Sequence, residues 1–71
     1  MPNESVYEPH EQRVIDEHAA LAERLGKLRA FCQEIGGTFD VLSTVEKQRL
    51  TEQEGHMAAY LRVLHERIAA F

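Results

Sequence analysis

The sequence is short of the residues that disulfide-bonded and membrane-spanning proteins need. It has one cysteine, Cys32, which cannot form an internal disulfide, and it has no tryptophan. No apolar run approaches the roughly 18 consecutive residues of a spanning helix, so we expect a protein that does not cross a membrane. Residues 1–9 are acidic and polar, without a basic stretch that leads into an apolar one. A secretory signal is therefore not expected, and the predicted location is cytoplasmic.

Catalytic and metal-binding motifs are also missing. The sequence has no Gly-rich phosphate loop, no nucleophile elbow and no histidine spaced as a base for Cys32. Its histidines, His10, His18, His56 and His65, lack the spacings that place two metal ligands on one helical turn. We therefore predict a protein that is not an enzyme and that has no cofactor and no metal site. Its twelve acidic and eight basic residues give a net charge of −4, which argues against DNA as a partner.

The sequence does contain two heptad stripes of mainly apolar residues. Their steps of three and four residues predict two long helices, each with one continuous seam. The first stripe is Val14, His18, Leu21, Leu25, Leu28, Cys32 and Ile35, and the second is Leu50, Gln53, Met57, Leu61, Leu64, Ile68 and Phe71. Gly36 and Gly37 lie between the stripes and favour a helix stop and a chain reversal. The predicted fold is all-α, an antiparallel helical hairpin that forms a single domain over residues 1–71.

The ends of the two helices have recognisable signals. Pro9 suits a first helical turn, and Glu11 adds favourable charge there, so the first helix is predicted over about residues 9–35. Ser43 with Glu46 has the spacing of a capping box, so the second helix is predicted over about residues 44–70. Residues 1–8 are expected to form an arm or a short helical turn. Gly55 lies inside the second helix, where we expect it to allow close helix packing; the alternative is a gap that faces a ligand.

Two polar or weakly polar residues on the first stripe have a structural interpretation. Cys32 is expected to be a small buried hydrophobe rather than a reactive thiol. His18 is expected to be a core or interface histidine, with Gln53 as its matching polar residue on the second stripe.

Two helices enclose a thin core, which rarely supplies more than about 3 to 5 kcal/mol of stability. Self-association is therefore expected. Further apolar residues beside the seams widen the apolar surface and predict an interface between protomers. These residues are Ile15, Ala19, Ala22, Phe31, Ala58, Ala59, Tyr60, Val63, Ala69 and Ala70.

Basic residues are concentrated on one flank of the first helix. His10, Arg13, Arg24 and Lys27 follow helical spacing there, interrupted mainly by Glu17. The simpler interpretation is a solvated face with the charge pairs Arg13–Glu17 and Glu23–Lys27. The other interpretation is a site for an anionic ligand. Tyr7, near the helix start, also has a structural and a ligand-binding interpretation. It either packs the arm against a neighbouring residue or provides a stacking surface for a base.

A family resemblance favours the ligand-binding interpretation. The run Glu17-His18-x-x-Leu21-x-x-Arg24-Leu25-x-Lys27-Leu28-x-x-Phe31 is followed by Phe39, Leu42, Leu50, Gln53, Met57, Tyr60-Leu61, Leu64 and Arg67-Ile68. Over about residues 9–71 this pattern resembles the phage anti-CBASS sponges, which are small helical-hairpin proteins. Members of that family sequester the cyclic oligonucleotide messengers of bacterial CBASS immunity without cleaving them, so the effector is not activated. A related phage protein with the same hairpin sequesters Thoeris messengers.

The resemblance implies a homohexamer in the cytoplasm of an infected bacterial host. It would hold cyclic dinucleotides between protomers and cyclic trinucleotides in a second kind of pocket. Lys27 is the preferred phosphate partner, with Arg13 and Arg24 beside it, and Tyr7 and His10 are the preferred stacking groups. Tyr60 and Arg67 are assigned to the second pocket. The alternative is a structural or regulatory helical oligomer that binds a protein partner.

Overall fold

Two long helices make up most of the chain. The computed structural model describes residues 7–34 and 36–71, and its elements are α1 (Pro9–Gln33), a 3-10 helix (Thr38–Val41) and α2 (Thr44–Ala69). The described part of the chain is therefore all-helical. Apart from Tyr7 and Glu8, the predicted N-terminal arm lies outside the described residues, and so does Ile35 at the end of the first predicted stripe. No helix in the described part is long and apolar enough to cross a membrane.

The first helix begins where its sequence signals place it. Glu8 is the N-cap and Pro9 occupies the first helical turn. Proline is tolerated there because an N–H in the first turn has no partner within the helix. The Glu8 backbone N–H donates to Oε1 of Glu11 at 3.0 Å, so Glu11 satisfies an amide at the helix start as well as adding charge. The helix ends at Gln33, two residues before the predicted end.

A short connection reverses the chain between the helices. Gly36 has a φ of +76°, a left-handed conformation that glycine adopts without steric cost. Its N–H donates to Oδ2 of Asp40 at 2.5 Å, which ties the two ends of the turn together. Phe39 then meets Phe31 edge-to-face at 6.1 Å, so it covers the end of the hairpin. Val41, by contrast, is 81% exposed and does not pack there.

The second helix begins at the predicted cap. The Ser43 hydroxyl accepts a hydrogen bond from the Glu46 backbone N–H at 3.1 Å. This bond satisfies one of the amides that a helix start leaves unpaired. Near the same end, the Lys47 ammonium lies 5.7 Å from the centre of the Phe39 ring, which links the cap region to the connection.

The two helices run antiparallel and pack along the predicted seams. Tyr7 meets Phe71, whereas Arg29 farther along α1 meets Glu54, as an antiparallel pair requires. The core consists of Val14, Leu21 and Leu64, which are buried, with Met57, Leu61 and Ile68 packed against them. Leu25 is buried as well. The hairpin is an elongated plate of 50 × 23 × 14 Å with a thin core.

Three predictions about individual residues are wrong, and a fourth is confirmed only in part. Gln53 is exposed, and Glu54 takes the seam side instead because its carboxylate accepts from Arg29. His18 lies beside His65, at 6.0 Å between ring centroids, and not beside Gln53, because the antiparallel register places that part of α2 opposite Arg29. Gly55 does not allow close packing within the hairpin, since a Cβ added there would meet nothing within 4 Å. Cys32 is half-buried, which is less than full burial in a core.

Candidate functional site

The hairpin presents two broad faces of different chemistry. Residues one position before a seam residue lie on one face, and residues one position after it lie on the other, because the seam separates the two flanks of each helix. Glu17 and Tyr60, both one position before a seam residue, are in contact across the helices. This contact shows that the "before" flanks of α1 and α2 share one face of the plate.

We call that face the basic face. Its central residues are Arg13, Glu17, Ala20, Arg24 and Lys27 on α1, and Arg49, Gln53, His56, Tyr60, Val63 and Arg67 on α2. Five of the chain's eight basic residues are in this set, together with a single carboxylate. The face is thus locally positive on a chain whose net charge is −4. Local potential of this kind attracts anionic ligands even when the whole protein is acidic.

Among the basic-face residues named above, Tyr60 is the only Phe, Tyr or Trp. Its hydroxyl donates a hydrogen bond to a carboxylate oxygen of Glu17, which fixes the position of the ring relative to α1. That bond, partial desolvation and the negative charge of Glu17 raise the pKa of Tyr60, whereas the Arg67 charge lowers it. The ring remains 45% exposed, so one of its surfaces is open to a flat ligand.

A groove of about 570 Å³ runs along α2 beside Tyr60. Arg49, Gln53, His56, Met57 and Tyr60 line it together with Glu52. Its exposed wall is mainly apolar with polar groups at the rim, which is the usual composition of a small-molecule site. The groove is open on its outer side, so a ligand held by one protomer alone would stay partly in water.

The predicted cations of α1 lie on the basic face and are free to reach outward. Lys27 forms a 3.6 Å ion pair with Glu23, as predicted, and both side chains are mainly exposed. The predicted pair between Arg13 and Glu17 is not formed within the described residues, because Glu17 instead accepts from Tyr60. Exposed pairs of the Lys27 kind contribute at most about 1 kcal/mol, so little opposes their exchange for a phosphate partner.

A family comparison supports a sequestering role for the protein in general terms. The family model described as Sequestin matches residues 8–70, which is nearly the whole chain. The chain belongs to the Sequestin family. The match includes both helices and every basic-face residue. The family name describes a protein that sequesters a ligand. No curated protein and no solved structure matches the sequence.

Two further predicted residues of this Sequestin chain lie at one end of the plate. His10 is exposed on the first turn of α1, on the same side as Arg13. Tyr7 meets Phe71 at 6.2 Å edge-to-face, so it joins the two ends of the described chain and acts as a staple. It is still 40% exposed, which leaves part of its ring accessible. The structure therefore places Tyr60 on the same face as the α1 cations and Tyr7 at the end of the plate where α1 begins.

Sequence reasoning found Tyr60 and Arg67 but missed the other groove-lining residues of α2. Arg49, His56 and Met57 were not predicted as site residues, although they line the groove with Tyr60. The sequence did contain a signal, because Arg49, Gln53, His56, Tyr60, Val63 and Arg67 recur at steps of four and three. Glu17 was interpreted as an interruption of the basic strip, whereas it positions the aromatic ring. Among residues 7–34 and 36–71, no three His, Cys, Asp or Glu side chains group as a metal site.

Titration of Tyr60 tests the contact that organises this face. In a Tyr7→Phe background, the phenolate absorbance of Tyr60 should rise with a midpoint above the ordinary value of about 10. Glu17→Gln should lower that midpoint, because a neutral amide no longer disfavours the phenolate. The stability that this contact adds is fully present below about pH 10 and is lost as pH rises through the folded-state pKa. An unchanged midpoint in the Glu17→Gln variant would contradict the contact.

Proposed function

We propose that this protein is a phage anti-CBASS sponge that captures cyclic dinucleotide or cyclic trinucleotide messengers and holds them uncleaved. The observation that carries the proposal is the basic face, where five cations share one side of the plate with an aromatic ring that hydrogen-bonds to Glu17. Membership of the Sequestin family supports a sequestering role. Protection of infecting phage in the bacterial cytoplasm is the biological outcome of that capture.

The chemistry of the face matches that of a cyclic dinucleotide. Such a ligand carries two phosphates and two flat bases, so it needs cationic hydrogen-bond donors and an aromatic surface. Lys27, with Arg24 and Arg13 beside it, serves the phosphates in this proposal. Tyr60 offers a ring surface on the same face as these cations, and the Met57 side of the groove would exclude water from a base. Tyr7 and His10 extend the stacking surface toward the start of α1.

Capture between protomers follows from the shape and charge of this face. A ligand of this size is usually buried over most of its surface, whereas the groove of one protomer is open. Two basic faces repel each other unless an anion lies between them. A cyclic dinucleotide between two protomers neutralises both faces and becomes enclosed. We therefore propose binding within a homo-oligomer, with a hexamer as its size.

Stoichiometric capture requires no catalytic group in the proposed site. A sponge gains from affinity and slow release, and it gains nothing from turnover. The Glu17–Tyr60 hydrogen bond orders the ring before the ligand arrives, which reduces the entropic cost of binding. Arg67, close enough to influence Tyr60, is available to a third phosphate and so to a cyclic trinucleotide.

Calorimetric titration with 3′,5′-cyclic dinucleotides, and with linear dinucleotides of the same bases as controls, tests this proposal. We expect saturable heat with at least one cyclic ligand, weaker binding of its linear counterpart, and full recovery of intact ligand by chromatography after denaturation. A protein that binds no cyclic di- or trinucleotide would contradict the proposal. Conversion of the ligand to a linear product would show an enzyme.

A further inference from the structure

The groove beside Tyr60 has a carboxylate on its wall, although the proposed ligand is an anion. Glu52 lines this groove together with Arg49, Gln53, His56 and Tyr60. A carboxylate repels phosphate groups, so Glu52 favours binding only if it contacts another part of the ligand. We propose that Glu52 and Arg49 bind a guanine base, so that the protein prefers cyclic dinucleotides that contain guanine. This inference rests on the proposed function and names the base that the groove selects.

Both charged groups are available to a ligand. Glu52 is exposed, and its side chain forms no ion pair or hydrogen bond within the described part of the chain. Arg49 is 72% exposed in its side chain, and its ion pair is a 3.9 Å contact with Glu46. An exposed pair at this distance contributes little to stability. Glu52 and Arg49 can therefore turn toward a base without losing a strong contact.

The two side chains match two adjacent edges of guanine. On its Watson–Crick edge, N1–H and N2–H both donate to one carboxylate, and on its Hoogsteen edge, O6 and N7 both accept from one guanidinium. Adenine has an unprotonated N1 and an amino group in place of O6, so it opposes both contacts. Arg49 and Glu52 are three residues apart on α2, which places their Cβ atoms about 5 to 6 Å apart, a distance that one purine spans. Together they select guanine over adenine.

The same groove supplies the flat contacts that a base needs. His56 follows Glu52 by one helical turn, so a base that stacks on the His56 imidazole lies within reach of the carboxylate. Met57 is half-buried in the groove wall and adds an apolar surface beneath the base. Tyr60 lies one turn farther along α2, and its exposed ring is left for the second base of the ligand.

Gln53 gives the groove a competing interpretation. A glutamine amide recognises adenine by binding N6 and N7. The Gln53 amide nitrogen, however, donates to Sδ of Met57 at 3.9 Å, and the amide carries no charge. Adenine would therefore leave the Glu52 carboxylate without a partner, whereas guanine satisfies it. A preference for adenine is the alternative outcome of the test.

Calorimetric titration with cyclic di-GMP and cyclic di-AMP tests the proposal on the parent protein and on Glu52→Gln. We expect the parent to bind cyclic di-GMP about tenfold or more tightly than cyclic di-AMP. Glu52→Gln should weaken the binding of cyclic di-GMP about tenfold without weakening that of cyclic di-AMP. Glu66→Gln is the matched control, because it removes the same charge from α2 at a residue that is paired with Arg62 and lies outside the groove. This control should keep the parental preference.

Cyclic di-IMP provides a second measurement that needs no folded variant. Its hypoxanthine bases keep N1–H, O6 and N7 and lack only the N2 amino group, so the parent should bind it more weakly than cyclic di-GMP. In Glu52→Gln this difference should shrink, because the carboxylate that accepts from N2–H is gone. Equal affinity of the parent for cyclic di-GMP and cyclic di-IMP, or a preference for cyclic di-AMP, would overturn the proposal and leave the proposed function intact. A parent that binds no cyclic nucleotide at all would contradict both.

Discussion

Replacing Leu64 with alanine is expected to unfold the hairpin. Leu64 is fully buried and packs in one cluster with Val14 and Leu21. Truncation of a buried leucine costs about 2 to 5 kcal/mol, because the lost apolar contacts leave a cavity that the surroundings fill only in part. A small helical domain has roughly 3 to 5 kcal/mol of stability in total. The variant should therefore show little helical circular dichroism at a concentration where the parent is folded.

Val41→Ala provides the control for this prediction. Val41 is 81% exposed in the connection, so its truncation should change the free energy of unfolding by no more than about 0.5 kcal/mol. Urea unfolding followed at 222 nm measures both variants at one protein concentration. If the Leu64→Ala variant unfolded at a urea concentration close to that of the parent, Leu64 would not be the residue that holds the helices together.

Lys27→Ala is expected to remove most of the binding of a cyclic dinucleotide. Lys27 lies on the basic face, its side chain is mainly exposed, and its only ion pair within the described residues is the 3.6 Å contact with Glu23. A hydrogen bond to a charged group contributes about 1.5 to 3 kcal/mol, so its loss should weaken binding roughly tenfold to a hundredfold. The rise in melting temperature that the ligand causes should shrink accordingly. Titration calorimetry and thermal unfolding with ligand measure both effects.

Lys47→Ala is the matched control, because it removes the same charge at the turn end of the plate, where Lys47 lies over Phe39. We expect this variant to bind the cyclic dinucleotide like the parent. Both variants should keep the fold of the parent, since neither lysine is in the core. Equal affinity of Lys27→Ala and the parent would remove Lys27 from the site, and equal weakening by both substitutions would indicate only long-range charge.

Much of the fold was predictable because a heptad seam constrains a helical hairpin strongly. Val14, Leu21 and Leu64 were assigned to the seam from spacing alone, and they are in the core. Pro9 and Ser43 placed both helix starts correctly, because each start depends on local chemistry. The end of α1 was placed two residues late. The left-handed Gly36 and the Asp40 hydrogen bond set the connection, and both depend on the folded turn.

The candidate site was less predictable because it depends on how the two helices align. The α1 cations follow from spacing within one helix, so the sequence could find them. The Tyr60–Glu17 contact joins residues 43 positions apart, and only the register of the hairpin brings them together. Gln53 and Glu54 illustrate the same limit. A shift of one position decided which side chain joined the seam, whereas the register of the two helices decided that His18 meets His65 rather than Gln53.

Native mass spectrometry of the parent protein, with and without a mixture of cyclic di- and trinucleotides, tests the central claim most directly. One spectrum reports the assembly and the mass of any bound ligand. We predict an oligomer, with a hexamer as the expected species, that gains the mass of intact cyclic nucleotide at a fixed stoichiometry. An oligomer that gains no mass from any cyclic nucleotide would contradict the sponge and favour the alternative of a helical oligomer that binds a protein partner.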